Sequence, residues 1–388
     1  MEIMETKKFF FLLGIFLSLV ETKASAYDIA VENADGVTIY YNYINDGKEL
    51  ELTYEKKTVP KGGGEISISG YGGIKKLNIP SEVTYLNRTR KVTKIGENVF
   101  YRCYDLEEIT IPPTITVIDE FAFYWNSSLK KVIISDIAAW CNCDSWRSNP
   151  LSYDNADLYS DENTLVTDLI IPEGVEETKW RCFENCKKIE TVTFPNSLKK
   201  IGKASFMSSG LKYLNIPNNV TIIEGSAFQY CKQLSSVTLS NCTKIIESCA
   251  FANCSELVSI SIPNTVETIG SWAFGDCDKI EKVYSCIEEP FEIPNGNYTD
   301  LKPFGKNTYY NATLYVPKGT IEKYKAIGGW KDFLYIEEGS PSSITKIESD
   351  EASELKRYTL DGKVAKYPHK GINIIQMNNG SSKKVVVW

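Results

Sequence analysis

The hydrophobic positions of this chain repeat. Ile189, Leu211, Leu234, Leu257 and Ile280 follow one another at intervals of 22 or 23 residues, and each opens the same run. The run reads apolar-x-x-apolar-x-apolar-Pro, then Val, Ile-Gly, Ala-Phe and Cys. Leu257, Ile260, Ile262, Pro263, Val266, Ile269, Gly270, Ala273, Phe274 and Cys277 fill every slot. Upstream the register continues through Ile74-x-x-Leu77-x-Ile79-Pro80, Leu106-x-x-Ile109-x-Ile111-Pro112, Leu129-x-x-Val132-x-Ile134 and Val166-x-x-Leu169-x-Ile171-Pro172. A fixed period in the twenties predicts a solenoid, because one unit cannot bury its apolar face without its neighbours. The alternating Ile, Val, Leu and Thr predict one short parallel strand per turn. Proline ends each strand, since it has no N–H to give the ladder. Phe100, Phe123, Phe183, Phe206, Phe228, Phe251 and Phe274 form one register and are expected to line the opposite wall of the core.

At these residues the pattern resembles the BspA-like leucine-rich repeat, a bacterial surface variety. The resemblance spans about Ile66 to Val283. It implies an α/β leucine-rich-repeat solenoid, β-dominated, with one short parallel strand per 22–23-residue turn. Single turns depart from it: Thr178-Lys179 stands where Ile-Gly is usual, and Ser209 replaces Cys in a shortened unit.

Outside the period the chain divides further. Residues 1–26 carry Lys7-Lys8, an apolar run from Phe9 to Val20 and Ala24-Ser25-Ala26, the layout of a secretory signal peptide. Residues 27–65 alternate in Val37–Tyr41 and Glu49–Tyr54 around Asn45-Asp46-Gly47, which predicts a β cap on the open solenoid end. The solenoid proper is expected over 66–338. An insertion at about 136–165 interrupts it, and a closing cap at about 287–338 seats Trp330 and Phe333 over the last turn. Residues 339–343 read as a linker. Residues 344–388 hold Asp361-Gly362 and Asn379-Gly380 between alternating stretches, a small β module. That module resembles the C-terminal sorting domain of the type IX secretion system of Gram-negative bacteria, which implies the secretion machinery as a partner.

Composition narrows the function more than it names one. With 43 basic and 50 acidic residues the formal net charge is −7, and no basic block is present, which argues against nucleic acid as a partner. Eleven cysteines in an exported chain suggest disulfides. Yet Cys103, Cys186, Cys231, Cys254 and Cys277 each sit three residues after a register Phe, where a small buried thiol suits the stack. Bridges among Cys141, Cys143, Cys182, Cys242, Cys249 and Cys286 stay open. The odd total leaves at least one thiol free or bonded between chains.

The single histidine, His369, lies in the tail. Ser-His-Asp and Cys-His catalysis and His-based zinc are therefore not expected in the main domain. No catalytic, cofactor or metal residue is assigned, and the chain reads as non-catalytic. What a solenoid offers is a continuous binding surface. The outward strand positions would make it: Lys130, Lys131, Thr193, Lys212, Tyr213, Asn215, Ser236, Thr238, Ser259, Ser261 and Tyr284. Trp140, Trp146, Tyr153 and Tyr159 in the insertion form a second candidate platform, for a glycan. The plainer reading is that Trp140 anchors the insertion to the solenoid. The resemblance implies an adhesin-like protein that takes an extracellular protein or glycan ligand. A structural envelope protein without a specific ligand, or a glycan-binding accessory protein that uses the aromatic insertion at 140–159, is the alternative. Oligomeric state is not legible.

Overall fold

The computed structural model describes residues 27–61, 64–145, 149–152, 156–294, 301–340, 354–359, 371–377 and 382–387. The chain winds into a β-solenoid whose turns present three faces. The front ladder stacks short parallel strands, among them Glu108–Ile111, Lys131–Ile134, Thr191–Thr193, Tyr213–Asn215, Ser236–Thr238, Ser259–Ile262 and Lys282–Ser285. Register is kept residue for residue: Tyr213, Leu214 and Asn215 face Ser236, Val237 and Thr238. Alternation then sends Leu214 and Val237 into the core and their neighbours outward. A side ladder of two-residue strands runs through Thr178, Ile201, Ile223, Ile246 and Ile269.

The third face carries the register phenylalanines, and hydrogen bonds organise it as regularly as either ladder. In the turns of Phe100, Phe183, Phe206, Phe228 and Phe251 three N–H groups donate to the next turn. In the turn of Phe228 they are Ser226 N to Ser248 O at 3.0 Å, Phe228 N to Ala250 O at 2.8 Å and Tyr230 N to Ala252 O at 2.8 Å. The turn of Phe251 repeats this through Cys249, Phe251 and Asn253. To aim three alternate N–H groups the same way, the residues two before and two after each Phe adopt left-handed backbone, with φ between 53° and 63°. These residues include Arg102, Trp125, Arg181, Ala204, Tyr230 and Cys249, none of them glycine. A left-handed conformation costs such residues roughly 1–2 kcal/mol each; the inter-turn hydrogen bonds and the buried ring between them hold it in place.

Those rings form a stack. Phe183, Phe206, Phe228, Phe251 and Phe274 follow at 5.3, 5.5, 5.2 and 5.4 Å between centroids. Phe304 extends the stack at 5.2 Å, although some thirty residues separate it from Phe274. Tyr71 begins it on Phe100 at 5.3 Å. Every ring is fully buried.

Departures from the repeat are absorbed locally. Thr178 fills the Ile slot, buried, and its Oγ1 accepts Gly202 N–H at 3.0 Å. At Gly202 a Cβ would lie 2.0 Å from Thr178 O, so the backbones of two turns approach too closely for any other residue. Ser209 meets Cys231 Sγ at 3.2 Å, keeping the thiol column continuous through the shortened turn. Cys231, Cys254 and Cys277 each donate to a Phe carbonyl of an earlier turn at 3.1–3.3 Å. All eleven cysteines are unbridged, the six outside the repeat slot included.

Both ends of the solenoid are closed. At the N-terminal end, β1 (Ile29–Glu32), β2 (Thr38–Ile44) and β3 (Glu49–Thr53) form an antiparallel sheet. β3 then pairs in parallel with residues 91–95 and so starts the side ladder. At the other end, Phe333 packs edge-on against Phe304 at 5.3 Å, and the Trp330 indole N–H donates to Phe291 O at 2.9 Å. Three antiparallel strands, Glu354–Thr359, Gly371–Met377 and Ser382–Val387, follow. Tyr358 among them is buried. That burial and the Asp168 carboxylate on the front ladder push its phenol up to about 12. The expected signal peptide and linker fall outside the described residues, apart from Gly339 and Ser340.

Candidate functional site

The front ladder is the surface the sequence points to, and its outward row is uneven. In the middle, Thr193, Asn215, Ser236 and Thr238 are exposed, and Tyr213 is 40% exposed beside Ser236. Ser259 and Ser261 are half-buried. Toward one end the lysines are engaged. Lys130 reaches Glu107 at 3.3 Å and Lys131 reaches Glu108 at 3.1 Å, with the Lys131 ammonium 5.0 Å over the Tyr159 ring. Partial burial works against ionisation of Glu108. Hydrogen bonds from Lys76 and Lys131 nevertheless hold its carboxyl below the ordinary 4.5. Lys212 pairs with Glu190 at 2.9 Å. Tyr284 is withdrawn from solvent: its ring stacks on Tyr315 of the next front strand at 5.1 Å, and burial raises its phenol. The open strip is thus neutral and hydroxyl- and amide-bearing, bounded by ion pairs on one side and a tyrosine stack on the other.

The insertion is built differently. α1 (Ile137–Cys141) begins at Asp136, whose carboxylate accepts Ala139 N–H as an N-cap. Trp140 on α1 is buried, and its indole N–H donates to Cys182 O at 2.7 Å. It ties the insertion to the next turn and presents no face to solvent. Tyr159 is half-buried under Lys131, while Trp146 and Tyr153 lie outside the described residues. Where the insertion parts the side ladder, a gap of about 310 Å³ opens between Asp144-Ser145 and Lys179-Trp180.

An aromatic group that the sequence reading did not single out lies on the turn face. Tyr101, Tyr124 and Trp125 lie within 19° of parallel with centroids 5.4–6.2 Å apart. The Arg102 guanidinium sits 4.3 Å over the Trp125 ring. Its sequence signal was an aromatic directly after the register Phe in two successive units, Phe100-Tyr101 and Phe123-Tyr124. Among the described residues no group of three or more His, Cys, Asp or Glu is placed to hold a metal ion. Among them, too, no helix is long and apolar enough to cross a membrane.

Parallel strands at a 22–23-residue period, closed over a Phe stack, define a leucine-rich-repeat solenoid. The family model described as BspA type leucine rich repeat region matches residues 71–141 and 157–284 in six copies, just over half of the chain, and the chain belongs to that family. No curated protein matches it significantly. Among solved structures it is similar to a leucine rich cell surface protein of Faecalibacterium prausnitzii A2-165, with 21% identity over 84% of this chain and 99% of that one and a TM-score of 0.39. It is also similar to the T. pallidum leucine rich repeat protein, with 22% identity over 62% and 87% of the two chains and a TM-score of 0.34. A leucine-rich repeat protein of Bacteroides ovatus gives 19% identity over 81% and 100%, with a TM-score of 0.25.

Proposed function

We propose that the chain is a non-catalytic bacterial surface or secreted protein that binds an extracellular protein or glycan through the middle of its front ladder. The observation that carries this reading is the open strip of Thr193, Tyr213, Asn215, Ser236 and Thr238. It is exposed and uncharged, while the lysines beside it are held in ion pairs. Neutral hydroxyl and amide groups around one exposed tyrosine suit adaptable hydrogen bonding with an aromatic anchor. Residues 1–26 would direct export, and the tail from 344 would address the protein to a type IX secretion route; both follow from sequence pattern. Membership in a repeat family used for surfaces supports the non-catalytic reading.

The test is capture of host matrix proteins, in parallel with a glycan array, by the protein and by a Tyr213→Ala, Asn215→Ala, Thr238→Ala variant. The expected result is a ligand whose binding falls at least tenfold in the variant while the melting temperature is unchanged. Undiminished binding by the variant would remove the strip from the account. Absence of any ligand would favour a structural envelope protein.

A further inference from the structure

The turns of Phe100 and Phe123 differ from the later register turns in the two residues that follow the buried ring. They carry Tyr101-Arg102 and Tyr124-Trp125, where later turns carry Glu184-Asn185, Met207-Ser208, Ala252-Asn253 and Gly275-Asp276. Tyr230 is the only later aromatic in these slots. The turns of Phe183, Phe206 and Phe251 make all three inter-turn hydrogen bonds with no aromatic in either slot. Stacking of turns therefore does not require Tyr101, Tyr124 and Trp125, and their grouping has another cause. Backbone geometry aims the group: Arg102 N–H donates to Tyr124 O at 3.0 Å, and Arg102 and Trp125 take left-handed backbone with φ of 58° and 63°. The three rings, within 19° of parallel, then share one facing direction and form a shelf. The Arg102 guanidinium rests 4.3 Å from the Trp125 centroid and 5.0 Å from that of Tyr101, and its enclosed Nε meets no acceptor. With the guanidinium in place Trp125 is still 45% exposed. Exposed apolar groups that packing does not require mark contact surfaces.

We propose that this shelf binds a neutral pyranose within an oligosaccharide, the C–H face of the sugar lying against Trp125. Sugar C–H groups carry slight positive charge and suit the negative face of an indole. Rings that share one facing direction match a flat sugar, whereas an aromatic anchor between proteins enters a pocket that wraps it. The Arg102 guanidinium supplies N–H donors for sugar hydroxyls, and its stacking on the rings pre-orders them. The shelf lies on the turn face, off the front strip, and stands independently of the ligand proposed there.

The experiment is isothermal titration of the full chain with cellotetraose, xylotetraose, mannotetraose and maltotetraose. Trp125→Ala, Trp125→Phe, Arg102→Ala and Tyr213→Ala variants are titrated alongside. The expected result is binding of at least one of the four sugars. Trp125→Ala should bind it at least tenfold more weakly, with unchanged melting. Trp125→Phe, which keeps a flat ring, should lose less than about threefold, and Arg102→Ala at least about threefold. Tyr213→Ala on the front strip should bind as the parent does, which keeps failure here separate from failure of the front-ladder reading. If Trp125→Ala does not fold, oxidation of the parent by N-bromosuccinimide decides. Bound sugar should then slow modification of Trp125, read by peptide mass, at least fivefold. Failure of all four sugars to bind overturns the proposal, as does binding that is indifferent to Trp125→Ala or leaves Trp125 unprotected. A protein ligand lost with Trp125→Ala while all four sugars stay inert would make the shelf a protein contact and would also overturn it.

Discussion

Phe251 and Ser261 sit ten residues apart on the same turn, and the two are constrained in opposite ways. Phe251 is fully buried between Phe228 and Phe274, and its own N–H is bonded to Ala273 O at 2.7 Å. Its ring and its backbone each depend on the turns above and below. Ser261 faces outward on the front ladder, half-buried, and its hydroxyl lies 3.9 Å from the Cys286 thiol. Stacking forces the first kind of position to repeat and leaves the second free to vary. The repeat therefore encodes the scaffold, and specificity resides in whatever the repeat does not dictate.

The contrast breaks most visibly at the ring. Phe251→Ala should destabilise by about 3–5 kcal/mol, from lost burial plus a cavity the stack cannot close. Ser261→Ala should stay within about 0.5 kcal/mol. Denaturant unfolding of both measures the difference; a Phe251 cost under about 1 kcal/mol would mean the stack is not core. Next comes backbone approach. Gly202→Ala puts a Cβ on Thr178 O and should cost roughly 1–3 kcal/mol, as overpacking does. Gly225→Ala meets its nearest atom at 3.3 Å and should cost less than half as much. Equal melting temperatures for the two variants would remove close approach as the reason for glycine at 202.

What was legible in the sequence follows from the same division. The Leu-x-x-Ile-x-Ile-Pro runs and the Phe register could be read because each slot tolerates few residue types. The left-handed pairs around each Phe could not, since Arg, Trp, Ala, Tyr and Cys occupy them. Their conformation is imposed by hydrogen bonds from the neighbouring turn, and no local propensity announces it. Phe304 was invisible as a register position because an excursion of unmatched length separates it from Phe274. On the candidate face, alternation located the outward residues. The covering of Tyr284 by Tyr315 depends on which strand stacks next, 31 residues on in the chain.

The cysteine column sharpens the comparison chemically. Burial pushes the Cys231 thiol up to about 12, and Cys254 is likewise raised by burial. Thiol labelling of Cys231, Cys254 and Cys277 should be at least a hundredfold slower in the folded protein than that of exposed Cys242. In denaturant it should run to completion without reductant. Blocked thiols in denatured, unreduced protein would replace the thiol column with disulfides.

The smallest expected effect is on the side ladder. Hydrogen bonds from Lys200 and Lys179 hold the Glu177 carboxyl below its ordinary 4.5. A depressed folded value means the contribution is fully present above about pH 4.5 and is lost as pH falls through the folded value. Glu177→Gln should therefore lower stability at pH 7 by no more than about 1 kcal/mol, as for a largely solvated pair. It should leave stability unchanged at pH 2. A loss of equal size at both pH values would assign the effect to packing.

Amide hydrogen exchange tests most directly whether the turn face is a third hydrogen-bonded ladder. The Ser226, Phe228, Tyr230, Cys249, Phe251 and Asn253 amides lie in segments without strand geometry, yet each donates to the next turn at 2.7–3.0 Å. Peptides covering 224–232 and 247–255 should exchange no faster than those covering the front strands at 234–240 and 257–263. Exchange within seconds across the turn segments, with the front strands still protected, would contradict the account.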